Sequence, residues 1–417
     1  MEDPTDAPAD APADAKARPE VRLRPKAESR AIRHGFPWVY ADELVLDRRT
    51  KALAPGTIAR LSDAERRPLG TVAVTPGSRI PARVLDRDPE AAIDREWLAA
   101  RLRRAAALRD QLYPGLFYRL VHAEGDGLPG VVIDRFGDAA VIQPNAAWAE
   151  ARLDDLTTAL AEVTGVTTIV MNGQGRARAA EGLPEETRLL RGTANAPVPV
   201  EMNGAVYMAD LMGGQKTGLY YDQRDNQAFV AALARSRPSG RDARVLDVFS
   251  HVGGFGLACL AAGAGHAIAV DGSERALDLA RAGADAMGAT ARFSTHREDA
   301  FKALEAMADE RVTFDIVVCD PPAFAPSRKA LDAGLRAYER VARLAAPLVA
   351  PGGSLTLCSC SHAADLARFR SACVRGIGRG GRQSQLLRTG FAGPDHPMLP
   401  QLAETGYLKA LTFRLDG

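Results

Sequence analysis

The stretch Arg244–Gly256, RVLDVFSHVGGFG, decides how the C-terminal half of this chain reads. Its apolar run ends near Asp247 and meets a glycine-rich turn, Gly253, Gly254 and Gly256, that opens a helix. An apolar run of that length bounded by turn residues is a buried strand. Glycines at the strand-to-helix turn let a ligand come close to the backbone. Further on, strand-like runs recur as AIAVD, ARFST, FDIVVCD, SLTLCSC, QSQLLR and YLKALTFRL, with helical segments between most of them. This rhythm predicts an α/β fold with a doubly wound, mostly parallel, seven-stranded Rossmann-like sheet. Its last pair is antiparallel, because the final two runs lack a convincing helix between them.

Ligands on such a sheet bind at the carboxyl ends of the strands. Asp247 ends the first strand there, and Asp271 ends the second, as suits a carboxylate that binds the two hydroxyls of a ribose. Asp299, in REDAF, follows the third strand, within reach of an adenine amino group. Ser250 and Ser273, beside the first two carboxylates, complete this candidate set with Gly253 and Gly254. A nicotinamide-binding fold would share Asp271. Adjacent Gly253 and Gly254 do not fit its G-x-G-x-x-G spacing.

The fourth strand exits through Asp320-Pro321-Pro322, and two prolines forbid helix there, holding the Asp320 carboxylate toward the cleft. Ala323 follows the prolines and Phe324 comes one later, which speaks against the Asp/Asn-Pro-Pro-aromatic arrangement of exocyclic-amine methylation. The fifth strand ends in LCSCSH, Leu357–His362. A thiol at that edge suits one difficult reaction. Carbon 5 of a pyrimidine is a poor nucleophile until a thiolate adds to carbon 6, and a base must later remove the carbon-5 proton. Cys358 and Cys360 alternate along one strand and share a face, so they compete for the role. Burial as core suits Cys358, inside the strand, whereas chemistry suits Cys360, at its end beside Ser359 and Ser361. His251 and His362 read as surface or hydrogen-bonding groups, and no residue pair has metal-ligand spacing.

The 417 residues are 46% hydrophobic and 25% charged, which suggests two or three soluble domains. A formal net charge of +1 leaves nucleic-acid binding to local clusters of Lys and Arg. Five cysteines without disulfide or zinc spacing fit a reducing cytoplasm. Residues 1–20, rich in Ala, Pro and Asp, read as a disordered acidic tail, not a signal peptide. Residues 21–92 read as a small barrel of short strands. Its Arg22, Arg24, Lys26, Arg30 and Arg33 lie beside Phe36, Trp38 and Tyr40, a pattern open to both RNA stacking and the blander solvated face over a core. Residues 93–212 read as a connecting helix with a basic side, Arg101, Arg103, Arg104 and Arg109, followed by an α+β middle domain. The sheet described above occupies 213–417.

LMGGQKTGLYYDQRDNQ, VLDVFSHVGGFG, CDPPAF, LCSCSH and GPDHPML together resemble the RlmI (YccW) family of ribosomal RNA cytosine-C5 methyltransferases. The resemblance runs from about Val21 to the C-terminus, with K-T-G-x-Y-x-D-Q-R its most specific part. It implies an N-terminal PUA domain, a middle domain of strand-strand-helix-strand-strand type and a C-terminal class I methyltransferase domain that uses S-adenosylmethionine. It also implies that Lys216, Thr217, Gly218, Gln223 and Arg224 help line the cofactor cleft and that Cys360 is the nucleophile. Asp320 is a candidate hydrogen-bond partner of the cytosine ring or amino group and a candidate for the cofactor site. The implied partner is large-subunit (23S) ribosomal RNA, and a target base that must be splayed out of its stack favours unassembled or partly assembled RNA. The chain departs from the family where His251 replaces Tyr and Ala323 replaces Lys. A methyltransferase for another base or a small molecule, with Cys360 structural, stands as the alternative, as does a noncatalytic RNA-binding assembly protein. The target nucleotide and the oligomeric state, a homodimer included, stay open.

Overall fold

A computed structural model of the chain describes residues 18–213, 218–235 and 242–416. The acidic tail to residue 17, and Lys216 and Thr217 of the candidate set, lie outside the described residues. The chain divides between Ile93 and Asp94 into two compact units.

The first unit is built on a five-stranded sheet ordered Glu20–Arg22, Thr57–Ser62, Pro68–Val74, Ala82–Asp86 and Trp38–Val39. The first pair is parallel and the rest antiparallel. Val21, Leu23, Val39, Leu44, Leu61, Val72 and Val74 form its core. The aromatic run is mostly not strand: Gly35 takes φ +100° and Pro37 interrupts the ladder, leaving Trp38–Val39. Phe36, Trp38 and Tyr40 are half-buried and touch one another, with ring centroids 6.3 and 6.4 Å apart. The basic group is an exposed face, in which Arg33 pairs with Asp63 at 2.8 Å and Arg24 donates to the Leu44 carbonyl.

The second unit begins with the helix Arg95–Leu112, capped by the Asp94 carboxylate on the Trp97 N–H. Leu98, Leu102 and Ala105 are buried on one face, and so, against the basic-side reading, is Arg109. Its guanidinium, fully buried, grips both oxygens of Asp126 at 2.6 and 2.8 Å and donates to the Arg119 and Asp395 carbonyls. Arg109 therefore ties the helix to the late loop around Asp395. A five-stranded middle sheet follows, with one parallel pair, Ala139–Pro144 beside Thr168–Asn172. The hairpin Val198–Met202/Ala205–Ala209 turns through Asn203 and Gly204, both at positive φ, as that dipeptide predicts.

The last sheet comprises β1 (Arg244–Val248), β2 (His266–Asp271), β3 (Phe293–Arg297), β4 (Phe314–Cys319), β5 (Val349–Ser359), β6 (Gln383–Gly390) and β7 (Lys409–Asp416). Their order is β3-β2-β1-β4-β5-β7-β6. β1 to β5 run parallel, and β7 is antiparallel to both β5 and β6. The helices are α1 (Gly254–Ala261), α2 (Glu274–Ala286), α3 (Ala300–Asp309), α4 (Leu331–Ala345) and α5 (Leu366–Arg379). Alternation divides the core between the two faces. Val245, Val318 and Cys358 pack with Leu257 and Leu277 of α1 and α2. Leu246, Val248, Val317 and Leu357 pack with Tyr338 and Phe369 of α4 and α5. Because the strand order reverses between β1 and β4, a crevice opens at their carboxyl ends.

Truncating Arg109 leaves a buried carboxylate without its partner. Arg109→Ala is expected to lower the unfolding free energy of the second unit by about 3–5 kcal/mol in urea titrations. A loss under about 1 kcal/mol would show that the Arg109–Asp126 pair does not hold the helix and the late loop together.

Candidate active site

A cavity of about 600 Å³ lies at the carboxyl ends of β1, β2, β4 and β5, a volume suited to one nucleoside-sized ligand and part of a second. Asp247, Ser250, Gly254, Asp271, Ser273, Asp299, Asp320, Gln223 and Cys360 all line it.

The turn after β1 is built to present backbone. Asp247 is 1% exposed, and its Oδ2 accepts from the N–H groups of Phe255 and Gly256, at 3.1 and 2.8 Å. Burial, with a contribution from Asp271, pushes its carboxyl up to about 7 against those two hydrogen bonds. Phe249 and His251 sit in left-handed conformations at φ +60° and +49°, which few non-glycine residues adopt outside sites that require them. Gly253 takes φ +80° as α1 begins. A β-carbon on Gly254 would come within 2.7 Å of the Gln227 Nε2. Asp271 is fixed by N–H groups at both oxygens, from His251 and from Ser273, each 2.9 Å. Asp299 lines the cavity while its Oδ1 caps α3, accepting from Phe301 and Lys302 N–H groups.

On the other side, Asp320 follows β4 and donates its N–H to the Val248 carbonyl at 3.2 Å, with Pro321, Pro322 and Ala323 continuing the wall. Phe324 turns away. Its ring packs among Phe249, Phe301 and Tyr338, at 6.2, 6.2 and 5.0 Å, and does not line the cavity.

The end of β5 separates its side chains by alternation. Ser359 and Ser361 are fully buried on the α4 side, where the Ser359 hydroxyl donates to Tyr338 Oη at 2.9 Å. Ser361 Oγ lies 2.8 Å from that same Oη and accepts from the Ala325 N–H. Cys360 between them faces the other side and lines the cavity, half-buried. Lys409 Nζ fastens the turn beyond it by donating to the Ser361 and Ala364 carbonyls, at 2.7 and 2.8 Å. The remaining cysteines are buried, and burial pushes the thiols of Cys259, Cys319, Cys358 and Cys373 up, disfavouring the thiolate.

Three other candidate residues do not join the lining. Arg224 stacks over Tyr113 with its guanidinium 4.0 Å from the ring centroid and donates to the Phe117 carbonyl, serving the middle sheet. Gly253 sits at the turn behind its neighbour Gly254. Gly218, at φ +103°, passes close over Asp210, where a β-carbon would lie 3.0 Å from the backbone oxygen. Residues that sequence reading left out do line it, Tyr220, Asp222, Gln227 and Arg275, and so does His251, read there as a surface or hydrogen-bonding group. Tyr220 and Asp222 belong to the K-T-G-x-Y-x-D-Q-R motif, and Gln227 stands four residues after Gln223, one helical turn on.

Buried polar atoms in the lining argue for a polar ligand. Asp222 Oδ1, Gln223 Nε2, Gln227 Oε1, Asp247 Oδ1 and Ser250 Oγ are buried and have no partner among the described residues. Carboxylates and amides of both hydrogen-bonding senses fit a ligand carrying an ammonium, ribose hydroxyls and a carboxylate.

Two family models match the chain. A PUA-like domain covers residues 21–87, and an S-adenosylmethionine-dependent methyltransferase covers residues 126–414. The fold and the site thus define an S-adenosylmethionine-dependent methyltransferase carrying an N-terminal PUA-like domain. Ribosomal RNA large subunit methyltransferase I of Aeromonas salmonicida is 34% identical over 93% of this chain and 98% of its own. The protein of that name in Shewanella amazonensis is 36% identical over 95% and 99%. At these identities and lengths, the chain belongs to the ribosomal RNA large subunit methyltransferase I family. Among solved structures, an S-adenosylmethionine-dependent methyltransferase from Streptococcus mutans shares the fold, with a TM-score of 0.78 at 18% identity over 95% of this chain and 100% of that one. A methyltransferase complexed with SAH matches with a TM-score of 0.79 at 19% identity over the same shares.

Raised to about 7, the Asp247 carboxyl makes the cofactor-free fold bind more protons than the unfolded chain between about pH 4 and 7, so its contribution to stability falls as pH rises through that window. A cofactor donor that pairs with the carboxylate is opposed by the same proton. Affinity for S-adenosylhomocysteine, measured by calorimetry, is expected to weaken roughly tenfold from pH 8 to pH 6, and Asp247→Asn to flatten the dependence. A pH-independent wild-type affinity contradicts this assignment.

Proposed function

We propose that the chain methylates carbon 5 of a cytosine in large-subunit ribosomal RNA, with Cys360 as a transient nucleophile. The observation that carries this reading is that Cys360 lines the cavity with Asp320 and the cofactor candidates, whereas the other four thiols are buried and disfavoured as thiolates. The relatives' name supplies the substrate class. Cytoplasmic RNA, unassembled or partly assembled, fits a reaction whose target base must be splayed out of its stack. The PUA-like domain is the candidate for a further RNA contact.

Bound S-adenosylmethionine supplies an electrophilic methyl group on a sulfonium. Asp271 would take the ribose hydroxyls and Asp299 the adenine edge. Asp247, Ser250, Gln223 and Gln227 offer the unpartnered atoms for the amino-acid portion, and Ser273 and Gly254 shape the walls. Cys360 adds to carbon 6 of the base, which makes carbon 5 enamine-like. Asp320, fixed by the two prolines that follow it, accepts a hydrogen bond from the cytosine amino group or the protonated ring nitrogen.

RNA carrying 5-fluorocytosine at the target should trap the enzyme, because fluorine cannot leave as a proton does. A covalent complex that survives denaturant is expected with the wild type and is lost in Cys360→Ala, with methylation reduced by roughly three orders of magnitude or more. Full methylation by Cys360→Ala would overturn the reading and favour a different base or substrate. Asp320→Ala is expected to lose methylation while binding cofactor normally, and unchanged turnover would remove Asp320 from the mechanism.

A further inference from the structure

We infer that Asp222 is the base that removes the carbon-5 proton after methyl transfer, an assignment that rests on the reading of Cys360 as nucleophile. Asp222 lies in the short turn Tyr221–Gln223, is 7% exposed and lines the cavity together with Cys360 and Asp320. Its two oxygens differ. The Tyr407 hydroxyl donates to Oδ2 at 2.6 Å, while Oδ1 is buried and has no partner among the described residues. A buried acceptor left open in a cavity is a costly arrangement unless a ligand supplies the proton.

The position along the sheet matters as much as the open oxygen. Lys409 of β7 stands opposite Ser359 of β5, and the Tyr407 ring, two residues earlier, lies 5.6 Å from the ring of His362, two residues beyond Cys360. Through Tyr407 the Asp222 carboxylate is therefore held on the thiol's side of the cavity. Burial raises the Tyr407 and Tyr220 hydroxyls, and the Asp222 carboxylate and Cys360 sulfur add to the rise at both, which agrees with that placement. The main chain is fixed too, since the Gly393 N–H donates to the Asp222 carbonyl at 3.2 Å. When the methyl group reaches carbon 5 from the cofactor's side, the proton remaining on carbon 5 points toward the side of the attacking sulfur. A base next to the thiol is then the one that can reach it.

The step balances within the groups named. The Cys360 thiolate forms a C–S bond at carbon 6, and carbon 5 takes the methyl group, leaving neutral S-adenosylhomocysteine. Asp222 Oδ1 accepts the carbon-5 proton, the electron pair of that C–H bond restores the C5–C6 double bond, and the C6–S bond breaks to return the thiolate. Asp320 stays with the polar edge of the base, so the two carboxylates have separate tasks.

Asp222→Asn keeps shape and loses the proton acceptor. With ordinary RNA and S-adenosylmethionine, this variant is expected to accumulate a denaturant-stable, methylated RNA–protein complex through Cys360, while turnover falls a hundredfold or more. Adding Cys360→Ala should abolish that complex, and Asp222→Glu should restore part of the turnover without accumulation. S-adenosylhomocysteine affinity and thermal melting of each variant establish that the fold is intact. Wild-type turnover by Asp222→Asn overturns the assignment, and so does an intact variant that neither methylates nor forms the complex, since its defect then precedes deprotonation. Should Asp222→Asn not fold, Asp222→Glu decides: substantial turnover without accumulation, or a loss of turnover with complex accumulation, supports a proton-accepting role, and turnover abolished without accumulation overturns it. Failure of the wild type to be trapped by 5-fluorocytosine RNA refutes the nucleophile itself. Trapping of the wild type together with a contrary result for Asp222 refutes the base alone.

Discussion

The site depends on one constraint, that β1, β4 and β5 run parallel and end together where the strand order reverses. Parallel strands carry their side chains in alternation, so each strand end offers one residue to each face. Asp247, Asp320 and Cys360 are brought to one cavity by that geometry although they span more than a hundred residues of sequence. A shift of β5 by one residue would exchange Cys360 for Ser359 or Ser361. The Ser359–Tyr338–Ser361 hydrogen bonds on the α4 side, with Lys409 on the turn carbonyls, oppose that shift.

Around that frame the chain spends buried polarity where chemistry needs it. Asp247 bears a raised carboxyl, Phe249 and His251 bear strained backbone, and several amide and carboxylate atoms face the cavity without partners. Away from the cavity, Arg109 with Asp126 and Arg119 with Asp134 form close buried ion pairs. The contrast separates polar groups that hold the protein together from those that await a ligand.

Much of this was legible in the residues. Seven strand runs, their parallel order with an antiparallel end, and the Asn203-Gly204 hairpin follow from periodicity and turn chemistry, which are local. The carboxylates at the strand ends were legible for the same reason, because fold topology assigns ligands to those ends. What escaped was tertiary. Arg109 reads as one of four basic residues on a helix, and only the packed structure turns it inward onto Asp126. Arg224 reads as a cleft cation from its motif, yet Tyr113 and the Phe117 carbonyl, more than a hundred residues earlier, draw it to the middle sheet. Tyr220 and Asp222 lay inside a recognised motif, but Asp222 is held by Tyr407, 185 residues later, and Tyr220 packs on His251, which no local pattern encodes.

Which atom of the base exchanges a proton for a methyl group decides the role of Cys360. RNA prepared with tritium at carbon 5 of its cytosines and incubated with enzyme and S-adenosylmethionine measures this directly. One tritium should appear in water for each methyl group incorporated. Methyl incorporation without tritium release would place the new group on another atom and contradict the role assigned to Cys360.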